Sequence, residues 1–230
     1  MNHSDNGEDS VFVDEDVELP LGGVRLDARM CLPAQGSGVV VFAHGSGSGR
    51  HSPRNRHVAE VLQQAGLGTV LLDLLTAEEE QYDQRTRELR FDIPMLAERL
   101  TRTVDWLAGQ PATGKNPVGL FGASTGAAAA LRAAADRPAA VHAVVSRGGR
   151  PDLAGDALTR VRAPTLLIVG GNDEVVLDLN RRAQLQMTVT PRLKIVPGAT
   201  HLFEEPGTLD QVAELATEWF VENVGSAPAT

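Results

Sequence analysis

Apolar positions along this chain fall into two kinds of run. Over residues 24–32 they alternate with Arg25, Asp27, Arg29 and Cys31, the period of two expected of a strand buried on one face, and the turn residues Pro20, Leu21, Gly22 and Gly23 precede it. This pattern predicts an opening antiparallel hairpin. Farther along, residues 39–43, 69–72, 118–121, 141–145, 165–169 and 193–196 are mostly continuous apolar runs, as strands covered on both faces require. Helical spacing separates them. Residues 57–65 lead to Gly66, a suitable residue just past a helix end, and Ile93, Leu96, Leu100, Val104 and Leu107 form one stripe with Pro94 near its start. Alanines fill residues 127–135, and a last helix over 209–221 has Thr208 and Gln211 as a predicted capping-box pair. Strands alternating with helices predict an α/β fold with a mostly parallel sheet and helices on both faces.

No internal repeat or interdomain linker interrupts this pattern, so residues 17–224 read as one domain between an acidic, flexible tail (1–16) and a flexible C-terminus (225–230). With 230 residues and 42% hydrophobic content, the chain can bury a substantial core without disulfides. Cys31 stands alone, which excludes an intramolecular disulfide or a cysteine metal cage and fits a reducing, cytoplasmic setting. The formal charge of −9 argues against nucleic-acid or anionic-membrane partners, although six acidic side chains lie within residues 1–16, leaving a nearly balanced remainder. The start has no basic and apolar leader pattern, and nowhere do 18 apolar residues run together, so neither secretion nor membrane spanning is expected.

Chemistry concentrates at predicted strand ends. Gly122-Ala123-Ser124-Thr125-Gly126 follows an apolar strand and opens the alanine-rich helix, a context in which two glycines allow a tight turn that exposes the serine hydroxyl. The competing reading is an ordinary strand-to-helix turn with Ser124 as the N-cap. A serine hydroxyl needs an oriented base. Asp173, in Gly170-Gly171-Asn172-Asp173, and His201, in Pro197-Gly198-Ala199-Thr200-His201, follow two later strands in the order of an α/β-hydrolase triad. Taken singly, each reads as a turn or surface residue. Asp152 is an alternative triad acid. A developing oxyanion needs two N–H donors. Thr125 supplies one, and Ser46, in His44-Gly45-Ser46-Gly47-Ser48-Gly49, supplies the other; this loop lacks the spacing of a P-loop or a dinucleotide fingerprint.

On the strength of HGSGSG, GASTG, GGND and PGATH in that order, the chain resembles the α/β-hydrolase superfamily, and within it the dienelactone-hydrolase-like group of small cap-free hydrolases. The resemblance spans roughly residues 17–221. It implies Ser124 as nucleophile, His201 as general base and acid, Asp173 as the residue orienting His201, and Ser46 and Thr125 as oxyanion donors. Dienelactone hydrolases proper carry a cysteine at the elbow, whereas this chain has Ser124, so dienelactone specificity does not transfer. Group members of this serine type, some joined to phosphoribosyltransferases, are mostly assigned only as hydrolases.

Only residues 146–164 separate the sixth and seventh of the strands, which leaves no room for a large lid. Arg147 and Arg150 fall beyond a strand's carboxyl end, where open α/β sheets bind ligands, and Arg50 and Arg54 flank the proposed oxyanion loop. These four are candidates for recognising a carboxylate or phosphate on a small ester, against the alternative of solvated or carboxylate-paired loop arginines. Glu78, Glu79 and Glu80, like Glu204 and Glu205, read as solvated carboxylates or as complements to a helix dipole. No metal-site spacing occurs. The expectation is a serine hydrolase of small esters or lactones that uses neither cofactor nor metal. An acyltransferase with the same triad and a non-catalytic binding module on this fold are the alternatives.

Overall fold

The computed structural model describes residues 11–33 and 38–225. Eight strands form one sheet: β1 (Val11–Pro20), β2 (Arg25–Pro33), β3 (Val39–Ala43), β4 (Gly68–Leu72), β5 (Val118–Ala123), β6 (Val141–Arg147), β7 (Thr165–Gly170) and β8 (Arg192–Val196). Their order is β1-β2-β4-β3-β5-β6-β7-β8; β1 and β2 form the predicted antiparallel hairpin, β2 pairs antiparallel with β4, and the remaining pairings are parallel.

Among the described residues six α-helices accompany the sheet: α1 (Pro53–Gln64), α2 (Ala77–Thr86), α3 (Ile93–Ala108), α4 (Thr125–Asp136), α5 (Glu174–Gln186) and α6 (Thr208–Val224). Most of the continuous apolar strands are buried on both faces because α3 and α4 cover one side and α1 and α6 the other, giving two apolar clusters with the sheet between them; the run at 193–196 is the exception, since β8 lies at the sheet edge and is largely exposed. Phe42 and Phe121, on adjacent strands, pack with ring centroids 4.8 Å apart in the cluster beneath α1 and α6.

Several local expectations change. Residues 11–16, read as tail, belong to β1, where Asp14 and Asp16 pair with Arg29; residues 1–10 and 226–230 lie outside the described residues. Helix α6 has no Thr208–Gln211 capping box. Its N-cap is Gly207, in the left-handed region at φ 76°, and the Thr208 hydroxyl donates to the carbonyl of Glu205 instead. The three glutamates at 78–80 open α2, and Thr76 and Glu79 form a capping box there. Between β6 and β7 the chain makes short 3-10 turns over Pro151–Arg160, broken at Gly155 with φ 59°, and no lid. Among the described residues no helix is long and apolar enough to cross a membrane.

Candidate active site

The chain reverses direction across the sheet at β3: α1 leads to β4 on one side, whereas β5 lies on the other. Loops leaving the carboxyl ends of β3 and β5 therefore meet in the crevice where such sheets bind ligands. The loop after β3 is the HGSGSG segment, and the turn after β5 holds Ser124.

Sterics fix this meeting. A Cβ on Gly122 would come within 2.7 Å of the Ala127 backbone nitrogen, and one on Gly126 would collide with the carbonyl oxygens of Ala43 and His44. Both positions need glycine for strand, helix and loop to approach. Ser124 takes φ 50° and ψ −118°, a strained conformation for a residue with a side chain. Its hydroxyl makes no capping hydrogen bond to α4, so the ordinary N-cap reading fails. The Oγ instead lies 3.4 Å from His201 Nε2.

His201 is oriented from its other nitrogen. Nδ1 is 2.6 Å from Asp173 Oδ2, which assigns the ring proton to Nδ1 and leaves Nε2 facing the serine. Backbone packing creates that contact. Gly171 N–H donates to Val196 O at 2.8 Å, Asn172 N–H to Ala199 O at 2.9 Å, and the Asn172 side-chain amide to Gly198 O at 2.9 Å. Asp173 also begins α5 without capping it, so its carboxylate is free for the imidazole. Asp152, the alternative acid, is bonded to Arg150 instead, its two carboxylate oxygens accepting at 2.8 and 2.7 Å.

The proposed oxyanion donors adjoin each other. Ser46 N–H donates to Thr125 Oγ1 at 3.1 Å, tying the loop after β3 to the elbow, and Thr125 is the first residue of α4, where N–H groups have no partner within the helix. His44 braces the same loop. Its Nε2 accepts from Leu74 N–H at 2.9 Å while its Nδ1 donates to Gly45 O at 2.9 Å, and burial pushes its pKa below the usual histidine value, keeping it neutral.

The four candidate arginines divide evenly. Arg50 is bound to Asp73 and also lies 3.3 Å from Asp27, and Arg150 is clamped by Asp152. These two are carboxylate-paired, the alternative weighed for them from sequence. Arg147 is buried at 8% exposure, its Nε and Nη1 without a hydrogen-bond partner among the described residues, and Arg54, with an unpartnered buried Nε, pairs with Glu204 at 3.3 Å.

Other supports were not singled out from sequence. Glu205, read as solvated, accepts from Thr200 N–H at 3.1 Å and from the Thr200 hydroxyl at 2.6 Å, holding the loop that carries His201; these contacts lower its pKa. Phe203, fully buried at φ 56°, anchors that loop from below. Arg99 binds Glu79 through two 2.6 Å contacts, and Arg90 lies 2.6 Å from the buried Asp83. Burial alone would raise the Asp83 pKa, but Arg90 and the N–H groups of Leu89 and Arg90 outweigh it and hold the carboxyl low. Only the Thr76-x-x-Glu79 spacing signalled any of this in advance.

A cleft of about 580 Å³ runs along the outer side of the HGSGSG loop, lined by His44, Ser48, Arg50, Asp73 and Thr76 among others, and does not include Ser124. Among the described residues no group of three or more His, Cys, Asp or Glu side chains could hold a metal ion.

Comparison with known proteins agrees with this architecture. The Alpha/beta hydrolase domain family matches residues 36–224. A crystal structure of dienelactone hydrolase from Anabaena variabilis is 58% identical, with a TM-score of 0.91 over 92% of this chain and 98% of that one. Est1E from Butyrivibrio proteoclasticus shares the fold at 16% identity, with a TM-score of 0.76 over 92% of this chain and 99% of its own. Two strains of Mycobacterium tuberculosis contain a protein named "Putative phosphoribosyl transferase" that is 58% identical over 98% of this chain and 50% of its own length. The chain thus spans about half the length of the curated relatives it matches. From the elbow, the strand order and these matches together, the chain belongs to the α/β-hydrolase superfamily and, within it, to the dienelactone-hydrolase-like group.

Proposed function

We propose that this chain is a serine hydrolase that cleaves small ester or lactone substrates through an acyl-enzyme intermediate. One observation carries the reading: a serine held at positive φ leaves its helix uncapped and places Oγ 3.4 Å from a histidine whose far nitrogen sits 2.6 Å from a carboxylate. The Oγ–Nε2 separation is long for a hydrogen bond to an imidazole, as is common before substrate binds.

In this mechanism Ser124 Oγ attacks the ester carbonyl while His201 Nε2 takes its proton. Asp173 keeps the other proton on Nδ1 and stabilises the imidazolium that forms. The tetrahedral oxyanion accepts from Thr125 N–H and from Ser46 N–H, which then exchanges its Thr125 hydroxyl partner for the oxyanion. Collapse breaks the bond to the leaving oxygen, which takes the proton from Nε2. Water, deprotonated by the same nitrogen, then attacks the acyl carbonyl and releases the acid and the serine. In a lactone both products remain one molecule. A preference for acidic esters follows from Arg147, a buried guanidinium whose Nε and Nη1 have no hydrogen-bond partner. We place the phosphoribosyl transfer named for the Mycobacterium tuberculosis relatives in the half of those proteins that this chain does not match.

The test is Ser124→Ala. A panel of esters, lactones and thioesters should be turned over by the parent and not by the variant, and a fluorophosphonate should label only the parent. Equal labelling or equal turnover by a folded variant would overturn the assignment.

A further inference from the structure

Threonines within the helices of this protein donate their hydroxyl protons to the carbonyl four residues earlier: Thr86 to Tyr82, Thr101 to Ala97, Thr103 to Arg99 and Thr217 to Ala213. Thr125 has no such acceptor. It is the first residue of α4, and Phe121, four positions before it, belongs to β5. Its Oγ1 accepts the Ser46 N–H at 3.1 Å, while its own proton finds no acceptor among the described residues, although the residue is buried at 3% exposure. A buried hydroxyl ordinarily uses its donor.

The unused donor lies where negative charge would develop. Ser46 N–H points at Oγ1, so an oxygen accepting from the same N–H arrives beside Oγ1, about 3 Å away. The Thr125 N–H, which has no partner within α4, belongs to the same residue. When an oxyanion takes the Ser46 N–H, Oγ1 loses the hydrogen bond it was accepting and can turn its proton onto the new acceptor. Hydrogen bonds to an ionised oxygen are about twice as strong as those to a neutral one, so the gain falls on the tetrahedral state more than on the bound ester. The loop that carries Ser46 is held independently of Oγ1. His44 ties it to the Leu74 N–H and the Gly45 carbonyl, and Ser48 N–H donates to Gly45 O at 3.2 Å.

We propose that the Thr125 hydroxyl is a third oxyanion donor, a catalytic group in addition to the N–H groups of Thr125 and Ser46. Its proton stays on Oγ1 throughout. The hydrogen bond forms as the carbonyl carbon becomes tetrahedral and is released when the intermediate collapses. The inference deepens the serine hydrolase reading above and rests on it.

The probes are 4-nitrophenyl acetate and hexyl trifluoromethyl ketone, whose serine adduct carries an oxyanion. Thr125→Val, which keeps the side-chain shape and removes the hydroxyl, should lower kcat about 10²-fold and leave KM within about twofold. Inhibition by the ketone should weaken by a similar factor. Thr125→Ser restores a hydroxyl and should recover most of both losses, and Thr125→Ala supplies a second hydroxyl-free variant if valine folds poorly. Ser46→Pro removes one of the other donors. If the hydroxyl acts in its own right, adding Thr125→Val to Ser46→Pro should cost a further loss of about the same size. No further loss would show that the hydroxyl only positions Ser46, and would overturn the proposal. An unchanged or raised kcat in both Thr125→Val and Thr125→Ala would overturn it too, while turnover by the parent that depends on Ser124 would leave the hydrolase reading standing. A parent that neither cleaves the ester nor takes up a fluorophosphonate would overturn the hydrolase reading and the third donor with it.

Discussion

Asp173 and His201 are 28 residues apart in sequence and 2.6 Å apart in space, joined from Oδ2 to Nδ1. That bond defines which imidazole nitrogen faces Ser124. Replacing Asp173 by Asn would donate a proton where His201 needs an acceptor and favour the wrong tautomer. The expected outcome for Asp173→Asn is a loss of kcat of about 10³-fold or more. Asp152→Asn, which alters only the carboxylate bound to Arg150, should change kcat much less; steady-state kinetics on the two variants compare them directly. The reverse ranking would make Asp152 the acid.

Strain at Ser124 can be measured separately from its chemistry. With φ at 50°, a side chain is tolerated there because the surroundings enforce it. Ser124→Gly should be inactive yet more stable by about 1 kcal/mol, since glycine adopts this region without a Cβ penalty. Denaturant midpoints at a fixed slope would register the gain, and a loss of stability would show that the serine hydroxyl contributes packing or hydrogen bonding instead.

Gly126 allows the reverse experiment. A methyl group there would run into backbone oxygens of Ala43 and His44, which are not free to move without shifting β3. Gly126→Ala should therefore cost about 2 kcal/mol or more of stability and displace the Ser46 N–H from its donor position. Chemical denaturation and fluorophosphonate labelling would be expected to fall together.

His44 gives the protein a defined pH response. Its folded pKa is depressed below the reference value of 6.5, because burial excludes the charged form. Below pH 6.5 the unfolded chain takes up a proton at this residue that the folded chain refuses, so the unfolded state binds more protons and stability falls as pH decreases. The contribution is fully present above pH 6.5 and declines below it, by at most about 1.4 kcal/mol per pH unit. Unfolding free energies between pH 7.5 and 5.5 should show this slope in the parent. His44→Gln should flatten it; an unchanged slope would exclude His44 as its source.

Sequence determined a good deal here. Period-two alternation over residues 24–32 predicts the hairpin strand, and the continuous runs at 39–43 and 165–169 predict strands with both faces covered; these depend on burial, which side-chain type and spacing report directly. The placing of Gly122, Ser124 and Gly126 at a strand-to-helix turn was equally legible, because only glycine permits that approach. Composition could not separate the four arginines. Each has the same charge and lies beside a predicted strand end or oxyanion loop, and only the fold brings Asp73 to Arg50, and the local turn Asp152 to Arg150, while leaving Arg147 buried without a carboxylate. The same holds for Glu79 with Arg99 and Glu205 with Thr200. A charged residue's role depends on which partner lies within about 3 Å and how much water is excluded, and both are set by packing between segments distant in the chain. Sequence therefore determined the scaffold and the order of the proposed reacting groups; tertiary structure decided which charges are paired and which are buried without a partner.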